Sequence, residues 1–339
     1  MPDRRAHRGP HPEDARLFAA EVHATLRQAT GDLCWLMSRG YAHESSLKLV
    51  GDRYGLVSRQ RIAVARCACS NESAADRQSR QVAPEALRGR PLWIDGYNVL
   101  TTIEAALGGG VLLLARDGAL RDMASMHGSY RKVAETLPAL DLLGRTIADL
   151  GVTESLWYLD RPVSNSGRLK GIMEQLAADR GWAWRVDLVD DPDAVLIETA
   201  RASVGAAVEP DRVGAAVEPD RVGAAVEADS VGAAVEGDSV GAAVVLPPQK
   251  DDAPDRAAVQ LPPQRPDIVV ASADSAILDH CDAWLNLARE TVERHVPGAN
   301  VVDLYSTQEP GTPPLSDDEL TAAAAEIFLE LDRREAKDD

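Results

Sequence analysis

No run of about 18 apolar residues occurs in the 339-residue chain, which excludes a hydrophobic transmembrane helix and leaves no membrane partner to expect. The stretch from Met1 to Pro12 is basic and polar and lacks the apolar centre of a signal peptide. Cysteine is scarce, with only Cys34, Cys67, Cys69 and Cys281. Cys67 and Cys69 stand too close together for half of a usual zinc site, and no matching pair follows. Reduced, partly buried thiols in a cytoplasmic protein are the expectation. No Gly-x-Ser-x-Gly elbow is present, so a Ser-His-Asp hydrolase has no support. Gly108-Gly109-Gly110 precedes an apolar strand instead of opening a helix, which removes the dinucleotide-binding reading.

Basic charge is also short. The net charge is −18, but it is unevenly spread: residues 1–90 hold 15 Lys/Arg against 10 Asp/Glu, and the rest hold 21 against 44. A mildly basic front and a strongly acidic back suggest two different jobs. The length suffices for two ordinary domains.

In chain order, residues 1–13 read as a disordered tail and 14–70 as a small all-helical domain. Leu17, Phe18, Val22, Leu26, Leu33, Leu36 and Met37 recur at helical spacing, with Gly31 expected to divide two helices. Further helices are expected over Glu44–Tyr54 and Arg59–Cys69, with Gly55 between them. This outline is that of a helix-turn-helix with Arg59, Arg61 and Arg66 on or near its second helix, although two helices joined by a short turn occur in any bundle. Residues 71–90 are polar and read as a linker.

From Pro91 the texture becomes α/β. Leu92–Ile94, Val111–Ala115, Leu156–Leu159, Trp182–Val189, Asp267–Ala271 and Val301–Tyr305 read as strands. Helices are expected over Val99–Leu107, Arg131–Leu150 with a break near Pro138, Gly167–Arg180, Ala194–Ala202 and Ala276–Glu293. Residues 91–202 and 267–310 thus form two parts of one domain. Between them, 203–266 read as a disordered insertion. Val-Gly-Ala-Ala-Val recurs there with a nine-residue period, restarting at Val213, Val222, Val231 and Val240, and a proline-rich run follows. The units lack the glycine–aspartate ligands of a calcium β-roll. Residues 311–339 hold a C-terminal amphipathic helix, Leu315–Arg334, whose apolar face is suited to pairing with a second copy of the chain.

Three expected strands end in an acid, at Asp95, Asp160 and Asp274, and a fourth ends in Asp190, Asp191 and Asp193. Each could simply cap a turn or a helix. Parallel strands, however, share one carboxyl edge, so these acids converge. Carboxylates packed together raise one another's pKa unless a cation neutralises them. An all-oxygen set suits Mg²⁺ or Mn²⁺, which activates a water and stabilises the charge that develops as a phosphodiester breaks. Asn98 is placed to hold Asp95 or a water, or to serve as a helix N-terminal hydrogen-bonding group. Arg121, His127, Ser129 and Arg131 form a polar segment suited to phosphate contact, with His127 a candidate acid or base. Ser164, Ser166 and Gly167 read as an anion-binding turn or a helix cap.

Ile94-Asp95-Gly96-Tyr97-Asn98-Val99, with Val270-Ala271-Ser272-Ala273-Asp274-Ser275-Ala276-Ile277, resembles the PIN/NYN superfamily of metal-dependent ribonucleases. The wider layout is similar to uncharacterised archaeal and bacterial proteins that join a helical domain of unknown function to a PIN-like domain. Gly51-Asp52-Arg53-Tyr54, the run from Asp117-Gly118 to Tyr130-Arg131 and the run from Asp160 to Gly167 carry that likeness. The resemblance covers about residues 30–200 and 267–305. It implies a Rossmann-like α/β/α sandwich with a mainly parallel sheet and an acidic metal site. By position it implies Asp95, Asp160, Asp193 and Asp274 as the acids, with Asp191 or Glu198 as alternatives to Asp193. The expected activity is Mg²⁺- or Mn²⁺-dependent hydrolysis of RNA, with DNA as a second candidate and the helical domain helping to hold substrate. The alternative is a PIN-like module without turnover that binds nucleic acid or acts as a scaffold. A haloacid-dehalogenase phosphatase is discounted, because Tyr97 stands where its second acid is needed. Nothing identifies a protein partner.

Overall fold

Alternation in the strands decides the layers. The computed structural model describes residues 7–123, 130–205 and 268–305. Strands β1 (Leu92–Asp95), β4 (Ser155–Asp160), β5 (Trp184–Val189), β6 (Val269–Ala271) and β7 (Trp284–Leu285) form a five-stranded sheet in the order β5-β4-β1-β6-β7. Every pairing in it is parallel. Leu92, Ile94, Trp157, Leu159, Val186, Val269 and Ala271 face one side. They pack on helices α6 (Gly96–Leu107), α7 (Thr136–Leu150), α8 (Ser166–Arg180) and α11 (Leu287–His295). Their sequence neighbours Trp93, Leu156, Tyr158 and Val270 face the other side. There they meet α9 (Pro192–Gly205) and the short α10 (Ser275–Leu278). A period of two therefore gives a sheet with helices on both faces.

A second, three-stranded sheet joins this body to the helical region. Strand β2 (Leu112–Leu114) pairs antiparallel with β3 (Leu120–Asp122) and parallel with β8 (Val301–Asp303). Leu113 and Val302 turn away from the main core and share an apolar cluster with helices α1 (Asp14–Leu17), α2 (Ala20–Ser38), α3 (His43–Arg53) and α4 (Ser58–Cys67). Among the described residues no helix is long and apolar enough to cross a membrane.

Several elements differ from the sequence expectation. Gly31 does not divide α2, because Leu26, Ala29, Thr30, Leu33 and Cys34 bury one continuous face. That burial outweighs the roughly 1 kcal/mol a mid-helix glycine costs relative to alanine. Residues 71–90 are not a bare linker. They form α5 (Asn71–Arg80), capped by Ser70, and a 3₁₀ turn at Pro84–Leu87. The buried face of α5 carries an arginine, Arg77, which pairs with Asp117 and Asp279, so no apolar rhythm announced it. Pro138 does not bend α7, because the helix begins at Thr136 and its first turn needs no donor there. The helix expected over Ala276–Glu293 is interrupted by β7, where Trp284 is fully buried and extends the sheet. Residues 7–13 are not a loose tail. Arg8 is buried and ion-paired at 2.9 Å to Glu104, itself fully buried in α6. Residues 206–266 of the expected insertion and the helix expected over 315–334 lie outside the described residues.

Candidate functional site

The site is built on β1, the central strand, where the strand order reverses between β1→β4→β5 on one side and β6→β7 on the other. Such a switch point opens a crevice at the carboxyl edge. Asp95 ends β1 and is buried. One carboxylate oxygen accepts the Asn98 backbone N–H at 3.4 Å, so Asp95 caps α6. The other accepts from Ser272 Oγ at 2.8 Å, just beyond β6. Ser272 Oγ in turn accepts the Asp274 N–H at 2.9 Å. The Asn98 side-chain oxygen accepts the Ala273 N–H at 2.9 Å, so α6 and the β6 tip are stitched together. Asp274 caps α10 through the Ala276 N–H at 2.7 Å. The capping reading therefore holds for Asp95 and Asp274.

Gly96 makes the tight approach possible. A β-carbon there would meet Leu159 Cδ2 at 2.6 Å and the Tyr158 carbonyl at 2.7 Å. Gly96→Ala is accordingly expected to lower stability by about 1–3 kcal/mol, as overpacking does, and to shift the start of α6 with Asn98. Thermal melts would check the first effect. An unchanged melting temperature would show that β4 gives way freely.

The acids feel one another. Burial pushes the Asp95 carboxyl up to about 7, and the charges of Asp193 and Asp274 add to the rise, while the Ser272 hydrogen bond opposes it. Asp193, in the first turn of α9, reaches solvent yet is pushed up to about 6 by partial desolvation, then by Asp274, Asp191 and Asp160. Asp160, at the end of β4, is raised by burial and then by Asp191. Asp191 caps α9 through the Ala194 N–H at 2.9 Å, and Asp190 points to Arg161 at 3.1 Å. Acids from β1, β4, α9 and the β6 tip thus share one field. As these side chains stand, no group of three His, Cys, Asp or Glu among the described residues is arranged to hold a metal ion.

The other expected contacts divide. Arg121 lines the groove described below, with its guanidinium already engaged. It forks onto Asp117 at 2.9 and 2.7 Å and donates to the Ala273 carbonyl at 2.8 Å. Ser166 is buried, bonding to Tyr97 Oη at 2.7 Å and to the carbonyls of Asp160 and Val163, which fixes the start of α8 and removes it from any ligand. Ser164 and Arg131 are exposed. His127 and Ser129 lie outside the described residues.

Beside the acidic edge runs a groove of about 720 Å³, lined on one side by Asn98, Asp122 and Asp274 and on the other by Ser58, Arg61 and Arg66 of α4. Sequence reasoning missed Ser272 and Asp122 as members of this region. Asp122 is buried and accepts the Thr101 and Thr102 hydroxyls, both at 3.0 Å. Its position at the end of a three-residue strand gave no signal.

Residues 84–208 match a domain of unknown function (DUF5616), and residues 25–80 match a protein family of unknown function (DUF434). The boundary between them falls where α5 ends and the 3₁₀ turn begins. The chain is also similar to an uncharacterized protein of Methanocaldococcus jannaschii, 28% identical over 155 residues that cover 45% of this chain and 74% of that one. No solved structure matches the chain.

Proposed function

We propose that the protein is a Mg²⁺- or Mn²⁺-dependent nuclease of the PIN/NYN type that hydrolyses phosphodiester bonds in RNA. The observation that carries this reading is the shared field of Asp95, Asp160, Asp193 and Asp274, contributed by separate elements to one sheet edge. A hard, oxygen-only donor set whose members repel one another suits a small divalent cation. Asp95, Asp193 and Asp274 would hold it, with Asp160 beside them. When bound, such an ion supplies positive charge to a phosphate and lowers the pKa of water. The chain's own part is positional. Ser272 and the Asn98 N–H hold Asp95 in one orientation, and Asn98 fixes the β6 tip against α6. Carboxylates raised toward neutrality can also take up a proton near pH 7.

A second reading is a PIN-like module that binds nucleic acid or acts as a scaffold without turnover. It is favoured by the lack, among the described residues as they stand, of a three-ligand metal arrangement. The test is cleavage of a panel of single-stranded and structured RNAs, with DNA controls, in Mn²⁺, Mg²⁺ or EDTA. Wild type is compared with Asp95→Asn and Asp274→Asn. Metal-dependent cutting by wild type that falls by at least about 10²-fold in both variants is the expected result, the scale of losing a group that acts in the reaction. Absence of cutting, with no effect of either metal on the melting temperature, would leave the binding module.

A further inference from the structure

The wall that faces the acidic edge comes from the helical region. On α4, Ser58, Arg61, Ile62, Ala65 and Arg66 recur at helical spacing and all line the groove. Both arginines are held from behind. Arg61 donates through Nε to the Leu56 carbonyl at 2.9 Å, through Nη1 to the Lys48 carbonyl at 3.3 Å and through Nη2 to Asp52 at 2.7 Å. Its guanidinium lies over Gly51, where any β-carbon would collide with it. Gly51-Asp52 is thus the seat of Arg61. Arg66 donates to the Asp122 carbonyl and stands 3.6 Å from the Asp122 carboxylate. Asp122 is itself fixed by two threonine hydroxyls. Ordering of these long side chains is complete before any ligand arrives, which removes a usual cost of binding.

Between the arginines, Ile62 presents an exposed apolar surface. Cations flanking an apolar face match a strand that offers phosphates and an unstacked base. The groove volume lies within the roughly 300–1,000 Å³ of pockets that enclose a small ligand, a scale suited to a short unpaired stretch. The setting agrees, since residues 1–90 are net basic in a chain of net charge −18, which repels nucleic acid elsewhere.

We infer that the α4 wall of this groove binds single-stranded nucleic acid, with Arg61 and Arg66 on its phosphates and Ile62 against a base, the strand running on to the Asn98–Asp274 edge. Only that last direction rests on the nuclease reading. The phosphodiester backbone is common to RNA and DNA, so both are tested. The 339-residue chain is titrated in EDTA, where no divalent ion is present, into fluorescein-labelled single-stranded RNA, single-stranded DNA and duplexes of the same sequence, read by anisotropy at several salt concentrations. Single strands are expected to bind at least ten-fold more tightly than duplexes. Arg61→Gln with Arg66→Gln should weaken binding ten-fold or more and flatten the log–log salt slope by about 1.4, or about 0.7 for each lost phosphate contact. Ile62→Asp leaves every anchor of the arginines intact and should weaken binding comparably. Arg185→Gln, on strand β5, removes one positive charge away from the groove and should change little.

No binding by wild type, equal binding of duplex, or an unchanged affinity and salt slope in both groove variants overturns the inference. Asp95-dependent cleavage that proceeds unchanged in the double variant overturns it too, and leaves the nuclease standing. Binding lost in the groove variants, with no cleavage by wild type in Mn²⁺, supports the groove and sinks the nuclease.

Discussion

Asp95→Asn is expected to melt at a higher temperature than wild type at pH 8 in EDTA, and no higher than wild type near pH 4. The folded chain pushes the Asp95 carboxyl up to about 7, against about 3.9 in an unfolded chain. Below the unfolded value both states hold the proton, and Asp95 has no effect on stability. Between the two values the folded state binds more protons than the unfolded one, so stability falls as pH rises. Above about 7 the loss is complete. At about 1.4 kcal/mol per pKa unit it is on the order of 4 kcal/mol, borne by burial and by the charges of Asp193 and Asp274. Asparagine removes that loss but cannot reproduce both hydrogen bonds. With its oxygen toward Ser272 Oγ, its amide faces the Asn98 N–H, donor against donor. With the amide toward Ser272, it meets a hydroxyl that already accepts from Asp274. Such a mismatch costs about 1 kcal/mol, leaving a net gain of roughly 1–3 kcal/mol at pH 8. For a body of this size that corresponds to about 2–4 °C for each kcal/mol. Adding Mn²⁺ should raise the melting temperature of wild type and not of the variant. A variant that melts below wild type at pH 8 would show that Asp95 is not held ionised against a penalty.

The parts of this edge that were legible in the sequence are those governed by local pattern. Leu92-Trp93-Ile94-Asp95 shows a short apolar run, an acid and a following glycine within a few residues, and β1 with its capped helix forms there. Asp160 and Asp274 follow apolar runs in the same way and stand at the same sheet edge. What stayed hidden depends on distant partners. Strand β7 is two residues long, too short for any period, and exists because Val270 and Ala271 offer it hydrogen bonds. Helix α5 buries Arg77, a residue type that marks surface unless its partners, here Asp117 and Asp279, are known. Arg121 and Ser166 looked like ligand contacts because they are polar and near the tips. Their hydrogen bonds are taken up inside the protein by Asp117, Ala273, Asp160 and Val163. Composition cannot show that a polar group is already satisfied: Ser166 is buried, and Arg121 lines the groove with its guanidinium engaged. The α4 groove was hidden for the same reason, since Arg66 meets Asp122 across 56 positions of sequence.

Arg121→Ala therefore separates two roles, and its expected effect is on folding. Asp117 is 1% exposed and Arg121 8% exposed, so their two-pronged pair has little water around it. Burial pushes the Asp117 carboxyl up, but Arg121 and then Arg77 pull it back below its ordinary value. Its contribution is thus present above the unfolded pKa and is lost as pH falls through the folded one. Removing Arg121 leaves a buried carboxylate with one cation instead of two, and strips the Ala273 carbonyl of its guanidinium partner between Ser272 and Asp274. Breaking a buried pair from one side costs about 3–5 kcal/mol. Arg77 keeps part of the compensation, so the lower end, near 3 kcal/mol, is expected, a drop of roughly 6–12 °C at pH 7. Pairing Arg121→Met with Asp117→Leu should recover little of the drop, because Arg77, also buried, then loses Asp117 and keeps Asp279 alone of the two acids that hold it. Affinity for single-stranded oligonucleotide, measured well below the melting transition, should stay within about two-fold of wild type, whereas Arg61 and Arg66 replacements lose it through the salt slope. A variant that melts within 1 °C of wild type yet fails to bind would give Arg121 the phosphate contact instead, and would require its pair with Asp117 to open when a ligand enters.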